Sequence, residues 1–246
     1  MAGHSKWKQI KHYKAATDAK RGALFTKLIR EITVAAKAGG GDPSANARLR
    51  TAIDAAKAKS MPKENIERAI KKGTGELEGE SYSEVTYEGY GPGGVAIIVE
   101  GLTDNPTRTV AEVRHKFSRG GGNLGATGSV GYLFDRKGQI YLDATGLDED
   151  TAMELALEAG AEDLVHEDDA YIVTTDPGSF HAVRSALEEK KLKIEEAELA
   201  MIPKSTVRVE GADAQSVMKL VESLEELDDV QKVWANFDVD ESALVG

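Results

Sequence analysis

The sequence predicts an α+β protein: a basic N-terminal helical domain followed by two ferredoxin-like α/β domains, one inserted in the other. Three observations predict it. Apolar residues recur at spacings of three and four as far as Ile70, and from residue 82 the period changes to that of strands. Strand-like and helix-like segments then run in the order βαββαβ between two outer βαβ halves. Charge divides at the same place. Met1–Gly75 carries 17 Lys and Arg against 6 Asp and Glu, a net of +11, whereas Glu76–Gly246 carries 14 against 36, a net of −22. The expected domains are residues 1–78, residues 79–135 together with 204–246, and residues 136–203.

The elements follow in order. Residues 1–16 carry Lys6, Lys8, Lys11 and Lys14 with no acid and few apolar residues, which predicts a mobile basic arm. Thr17 or Asp18 caps a helix that runs to about Ala38, with Leu24, Phe25, Leu28, Ile29 and Ile32 on one face and Gly39–Gly41 as its end. Asn46–Ser60 is the second helix, and Pro62 opens the third, which stops at Gly73. Tyr82–Tyr90 is a strand, Gly91–Gly94 a turn, and Val95–Leu102 an apolar strand of the buried kind. Asn105–Ser118 is a helix, Gly120–Gly128 a glycine-rich loop, and Ser129–Phe134 a strand. The inserted domain reads as strand 139–142, helix 148–159, strands 163–166 and 170–174, helix 177–191 and strand 195–202. Strand 206–209, helix 212–227 and strand 230–237 complete the outer domain.

Composition excludes several functions. There is no cysteine, so disulfides, thiolate metal sites and cysteine nucleophiles are ruled out, which suits a reducing cytoplasm. The N-terminus lacks the apolar core of a secretory signal, and the aliphatic run Val95–Val99 is far short of a membrane span. Gly120, Gly122 and Gly125 match G-x-G-x-x-G, but a helix precedes the loop and a strand follows, the reverse of a dinucleotide site, so the loop is structural. No nucleophile elbow, phosphate loop or zinc-binding helix occurs, and the five histidines are scattered. The acidic runs at Glu162–Asp169 and Glu225–Asp229 read as solvated faces whose field keeps phosphate on the basic module. Catalytic residues, metal ligands and cofactors are therefore all expected to be absent.

The basic module is the candidate site. Lysine ammonium groups are drawn to polyanions, and the phosphate backbone is the commonest polyanion they meet. Trp7 and Tyr13 offer flat faces on which bases stack. The candidate nucleic-acid-binding residues are Lys6, Trp7, Lys8, Lys11, His12 and Lys14 in the arm, with Lys20, Arg21, Lys27, Arg30, Arg48 and Arg50 on the helices. Outward arginines suit bidentate phosphate contacts. No helix shows an outward set of Arg, Asn and Gln typical of base-edge reading, although 62–72 carries Asn65, Glu67, Arg68, Lys71 and Lys72.

Several long motifs resemble one family. The opening MAGHSKWKQIKHYKAATDAKRGALFTKLIREI, then ARLRTAIDAAKAKSMPKENIERAIKKGTG, YEGYGPGGVAIIVEGLTDNPTRTVAEVRHKFSRGGGNLG and SVGYLF are similar to the YebC/PmpR family, and the likeness spans essentially the whole chain. The resemblance implies a cytoplasmic protein of three domains around a cleft, controlling gene expression without catalysis. Members are described as DNA-binding transcriptional regulators. Mitochondrial relatives look like translational activators of cytochrome oxidase synthesis, and other bacterial members are linked to ribosomes translating proline-rich stretches. The expected partner is thus nucleic acid, either promoter DNA or ribosomal RNA or tRNA on a ribosome, with no membrane. The resemblance does not choose between transcription factor and translation factor.

Overall fold

The computed structural model describes residues 18–167 and 169–239. Two compact units form. One takes in the chain up to Leu133 and again from Pro203, and the other is Phe134–Ile202. Together they make a mixed α/β protein with a helical N-terminal region and antiparallel sheets, as the sequence predicts. Among the described residues no helix is long and apolar enough to cross a membrane.

The first unit begins with helices α1 (Asp18–Gly39), α2 (Ala47–Ala58) and α3 (Lys63–Thr74). Their small apolar residues, chiefly Ile32, Ala35, Leu49, Ile53, Ala56, Ile66 and Ala69, make one core. Strands β1 (Ser83–Tyr90) and β2 (Ala96–Thr103) then form an antiparallel hairpin, with Tyr90 opposite Ala96. Gly93 and Gly94 close it at φ of 69° and 76°, a region that penalises any side chain. Helix α4 (Pro106–Arg119) follows, and a two-residue strand β3 (Asn123–Leu124) lies within the glycine loop.

After the inserted unit the chain gives β8 (Val207–Arg208), helix α7 (Gly211–Glu225), β9 (Val230–Ala235) and β10 (Phe237–Asp238). The main sheet has the order β3-β1-β2-β9, and β8 pairs with β10 in a small parallel sheet. Val113 and Phe117 of α4, and Val217, Leu220, Val221 and Leu224 of α7, pack with Ile97, Val99 and Val233 of the sheet.

The inserted unit runs β4 (Phe134–Asp143), α5 (Glu149–Glu158), β5 (Asp163–Glu167), β6 (Ala170–Thr175), α6 (Phe180–Glu189) and β7 (Ile194–Pro203). Its sheet order β5-β6-β4-β7 puts the first and third strands in the middle, the ferredoxin-like arrangement. Ile140, Leu142, Val173, Phe180, Val183 and Leu187 fill its core.

One expected strand is missing. Gly131–Leu133 is a single 3-10 turn instead of part of a strand over 129–134, and β4 begins at Phe134. The reason lies in β1. Buried Glu88 accepts hydrogen bonds from the N–H groups of Gly128 at 2.8 Å, Val130 at 2.7 Å and Gly131 at 2.6 Å. Amides that a strand would donate to a neighbour are spent on one carboxylate. Burial pushes the Glu88 carboxyl up, and these three bonds outweigh it and hold the group below its ordinary range. The sheet position goes to β3, which pairs with the end of β1.

Candidate nucleic-acid interface

The helices of the basic module are set by a few local contacts. Asn46 caps α2: its Oδ1 accepts from the Leu49 N–H at 3.0 Å, and its Nδ2 donates to the carbonyls of Ala35 and Gly40 at 2.8 and 2.9 Å. One side chain thus closes α1 and opens α2. Helix α3 approaches α1 closely because Gly73 has no side chain; a Cβ there would lie 2.4 Å from the Thr33 carbonyl oxygen. With the apolar faces turned to one another, the polar faces point outward.

The arm residues Lys6, Trp7, Lys8, Lys11, His12 and Lys14 lie outside the described residues, as do the side chains of Lys20 and Arg21 in α1. The other four candidates are placed, and they divide. Lys27 donates to the Glu225 carbonyl at the end of α7. Arg30 is half-buried, with 11% of its side chain exposed, and pairs with Asp229 at 2.6 Å. It also donates to the carbonyls of Asp228 at 2.7 Å and Leu102 at 3.2 Å, and its guanidinium lies 5.2 Å from the centre of the Tyr82 ring. Arg48 bonds Glu31 through Nε at 2.8 Å and Glu84 through Nη1 at 2.6 Å. Burial works against its charge, and the two carboxylates more than offset that, raising its pKa. Arg50 is half-buried and makes a long contact of 3.5 Å to the Pro43 carbonyl.

Asp229 is the hub of the inner face. Besides Arg30 it takes Arg108 at 2.7 Å, Thr109 at 2.6 Å and Thr103 at 3.1 Å. Burial favours its neutral form, and hydrogen bonds from Arg108, Thr109 and Arg30 prevail, bringing the carboxyl down to about 2. The run Glu225–Asp229 is therefore not wholly a solvated face. Asp229 is an internal counter-ion that fastens α1 to the sheet domain, and Arg30 serves that joint.

The outer faces of α2 and α3 carry cations of another kind. Lys57, Lys59, Arg68, Lys71 and Lys72 are exposed and make no ion pair among the described residues. Lys63 pairs with Glu67 at 3.4 Å, and Lys37 bonds the Ser81 hydroxyl. These five free cations are absent from the candidate residues that the sequence singled out. Their signal was present in part: all five sit off the apolar stripes of these helices, although Asp54, Glu64 and Glu67 stand three or four residues before Lys57, Arg68 and Lys71. Among the described residues no group of three or more His, Asp or Glu is placed to hold a metal ion.

Comparison with known proteins supplies the context. Residues 5–76 match a family model described as the TACO1/YebC protein N-terminal domain, and residues 82–237 match one described as the TACO1/YebC second and third domain. A relative in Gemmatimonas aurantiaca, named a probable transcriptional regulatory protein, is 64% identical over 244 residues, covering 99% of both chains. A relative of the same name in Trichlorobacter lovleyi is 59% identical over 239 residues, covering 97% of this chain and 96% of its own. The crystal structure of a conserved hypothetical protein, Aq1575, from Aquifex aeolicus superposes with a TM-score of 0.84 at 54% identity, over 93% of this chain and 94% of that one.

Proposed function

The chain belongs to the TACO1/YebC family, and from that membership we propose that it is a nucleic-acid-binding regulator of gene expression, not an enzyme. The observation that carries the reading is the set of five exposed cations on α2, its C-cap and α3 that make no ion pair among the described residues, within the module that holds a net charge of +11. Such a surface gains from counterion release on a phosphate backbone, whatever the base sequence. The arm residues Lys6, Lys8, Lys11 and Lys14, with Trp7 and His12, extend it in this reading. The functional division proposed is 1–78 for nucleic acid, with 79–135 plus 204–246 and 136–203 as the body, in the cytoplasm.

Two ligands fit. Promoter DNA accords with the names that the relatives carry. Ribosomal RNA or tRNA accords with the chemistry of the outer face: four of its five cations are lysines, which hold phosphate as point charges, a contact that carries no base sequence. Sucrose-gradient cosedimentation with ribosomes, in parallel with mobility shifts on duplex DNA, separates them. Ribosome-tracking that is lost on removing residues 1–16 supports the translation factor. Shifts of specific duplex over scrambled competitor, without cosedimentation, support the transcription regulator. Neither activity at physiological salt would sink the nucleic-acid reading altogether.

A further inference from the structure

The acidic body carries its own cationic groove. Between the last turn of α4 and the middle of α7 lies an open groove of about 260 Å³, lined by Lys116, Arg119, Gly120, Lys219, Leu220 and Ser223. Gly120 lets the two helices approach, because a Cβ there would sit 2.8 Å from Leu220 Cδ1. Lys116 is half-buried, Arg119 and Lys219 are exposed, and none makes an ion pair among the described residues.

Carboxylates were available to them. Glu112 stands four residues before Lys116 and Glu222 three after Lys219, both spacings at which helical ion pairs form. Neither pair is made. Lys116 and Arg119 complement the α4 C-terminus, where cations are favoured. That explanation does not reach Lys219, which lies inside α7 away from either end. Three converging cations in a body of net charge −22 invite an anion.

We infer that this groove binds a phosphodiester of the same nucleic acid that the helical module holds, giving the body a second contact on the strand. This rests on the nucleic-acid reading above. The groove is open and holds no buried polar donor, so it has nothing with which to enclose a small anion. Ser223 donates its proton to the Leu220 carbonyl at 2.9 Å, which leaves the cations alone to hold the ligand. A polyanion needs no enclosure, since each neutralised phosphate releases a counterion. The overall negative field then confines the strand to a narrow track instead of excluding it.

The test is fluorescence anisotropy with a labelled single-stranded oligouridylate across a salt series. Four proteins are compared: the unmodified chain; Lys116→Gln with Arg119→Gln and Lys219→Gln; a control with equal charge loss on the inserted unit, Lys190→Gln with Lys191→Gln and Lys193→Gln; and Lys116→Arg with Lys219→Arg. The groove variant is expected to lower the slope of log affinity against log salt by about 2, since each phosphate contact on a single strand contributes about 0.7. The control and the arginine variant should keep the unmodified slope. A groove variant that behaves like the control, while removal of residues 1–16 still weakens binding, overturns the groove and leaves the nucleic-acid reading standing. An unmodified protein with no salt-dependent binding overturns both. Matching thermal melts for all four show that folding is not what changed.

Discussion

The inner and outer faces of the basic module are made of the same residue types and behave differently. On the inner face Lys27 and Arg30 are consumed by the sheet domain, through the Glu225 carbonyl and the buried Asp229. On the outer face Lys57, Lys59, Arg68, Lys71 and Lys72 are exposed and make no ion pair among the described residues. The difference teaches that a run of positive charge in a sequence is not a binding surface until its internal counter-ions are subtracted. Asp229 lies about 200 positions from Arg30 in the chain, so no local pattern announces the pairing. A guanidinium paired inside the fold fixes orientation, and an exposed ammonium offers a contact.

Substitutions should keep the two faces apart. The largest effect is expected at Asp229, whose side chain is 3% exposed between two arginines. Asp229→Ala should destabilise the fold by about 3–5 kcal/mol in urea unfolding, because the largely enclosed Arg30 would lose its counter-ion and the hydroxyls of Thr103 and Thr109 their acceptor. A loss below 1 kcal/mol, on the scale of an exposed ion pair, would mean the joint is solvated and the inner face no different from the outer.

Glu88→Gln comes next, at about 1–3 kcal/mol, since an amide cannot accept all three backbone N–H groups. Unchanged stability there would remove the explanation for the turn at Gly131–Leu133.

Acid gives a smaller, graded effect. The Asp229 carboxyl falls from its ordinary 3.8 to about 2 in the fold, so its contribution is complete above about pH 4 and is lost as pH drops toward 2. Asp229→Asn should therefore lose stability less steeply than the unmodified protein between those values, as followed by urea midpoints. Parallel curves would show that the carboxylate is not held by its neighbours. The smallest change is expected from Lys63→Gln, whose exposed pair with Glu67 should be worth no more than about 0.5 kcal/mol.

Much of the fold was legible because it is local. The apolar spacing of Leu28, Ile29 and Ile32 and Pro62 before α3 gave the helices within a residue or two, while the capping role of Asn46 emerged only from the fold. The alternation in Tyr82–Tyr90 and the apolar run after Gly94 gave the hairpin. The strand expected over 129–134 failed because its amides answer to Glu88, some forty residues away, and nothing in the stretch itself records that. The site was less legible for the same reason. Arg30 and Arg48 looked outward by composition, and their partners Asp229, Glu31 and Glu84 come from other elements. Lys57, Lys59, Arg68, Lys71 and Lys72 stood in the sequence beside the candidates, but only the fold showed that they make no ion pair among the described residues. The cationic groove was hidden by averaging, since Lys116, Arg119 and Lys219 sit in a stretch whose net charge is strongly negative.

The most direct test of the division between the faces is the salt dependence of nucleic-acid binding in three proteins. These are the unmodified chain, the outer-face variant with Lys57, Lys59, Arg68, Lys71 and Lys72 all changed to Gln, and Lys27→Gln. The outer-face variant should lose about 3 from the slope on a single strand while melting like the unmodified protein, and Lys27→Gln should keep the slope. An outer-face variant that retains the full slope, or a Lys27→Gln protein that loses as much, would contradict the assignment of binding to the outer face.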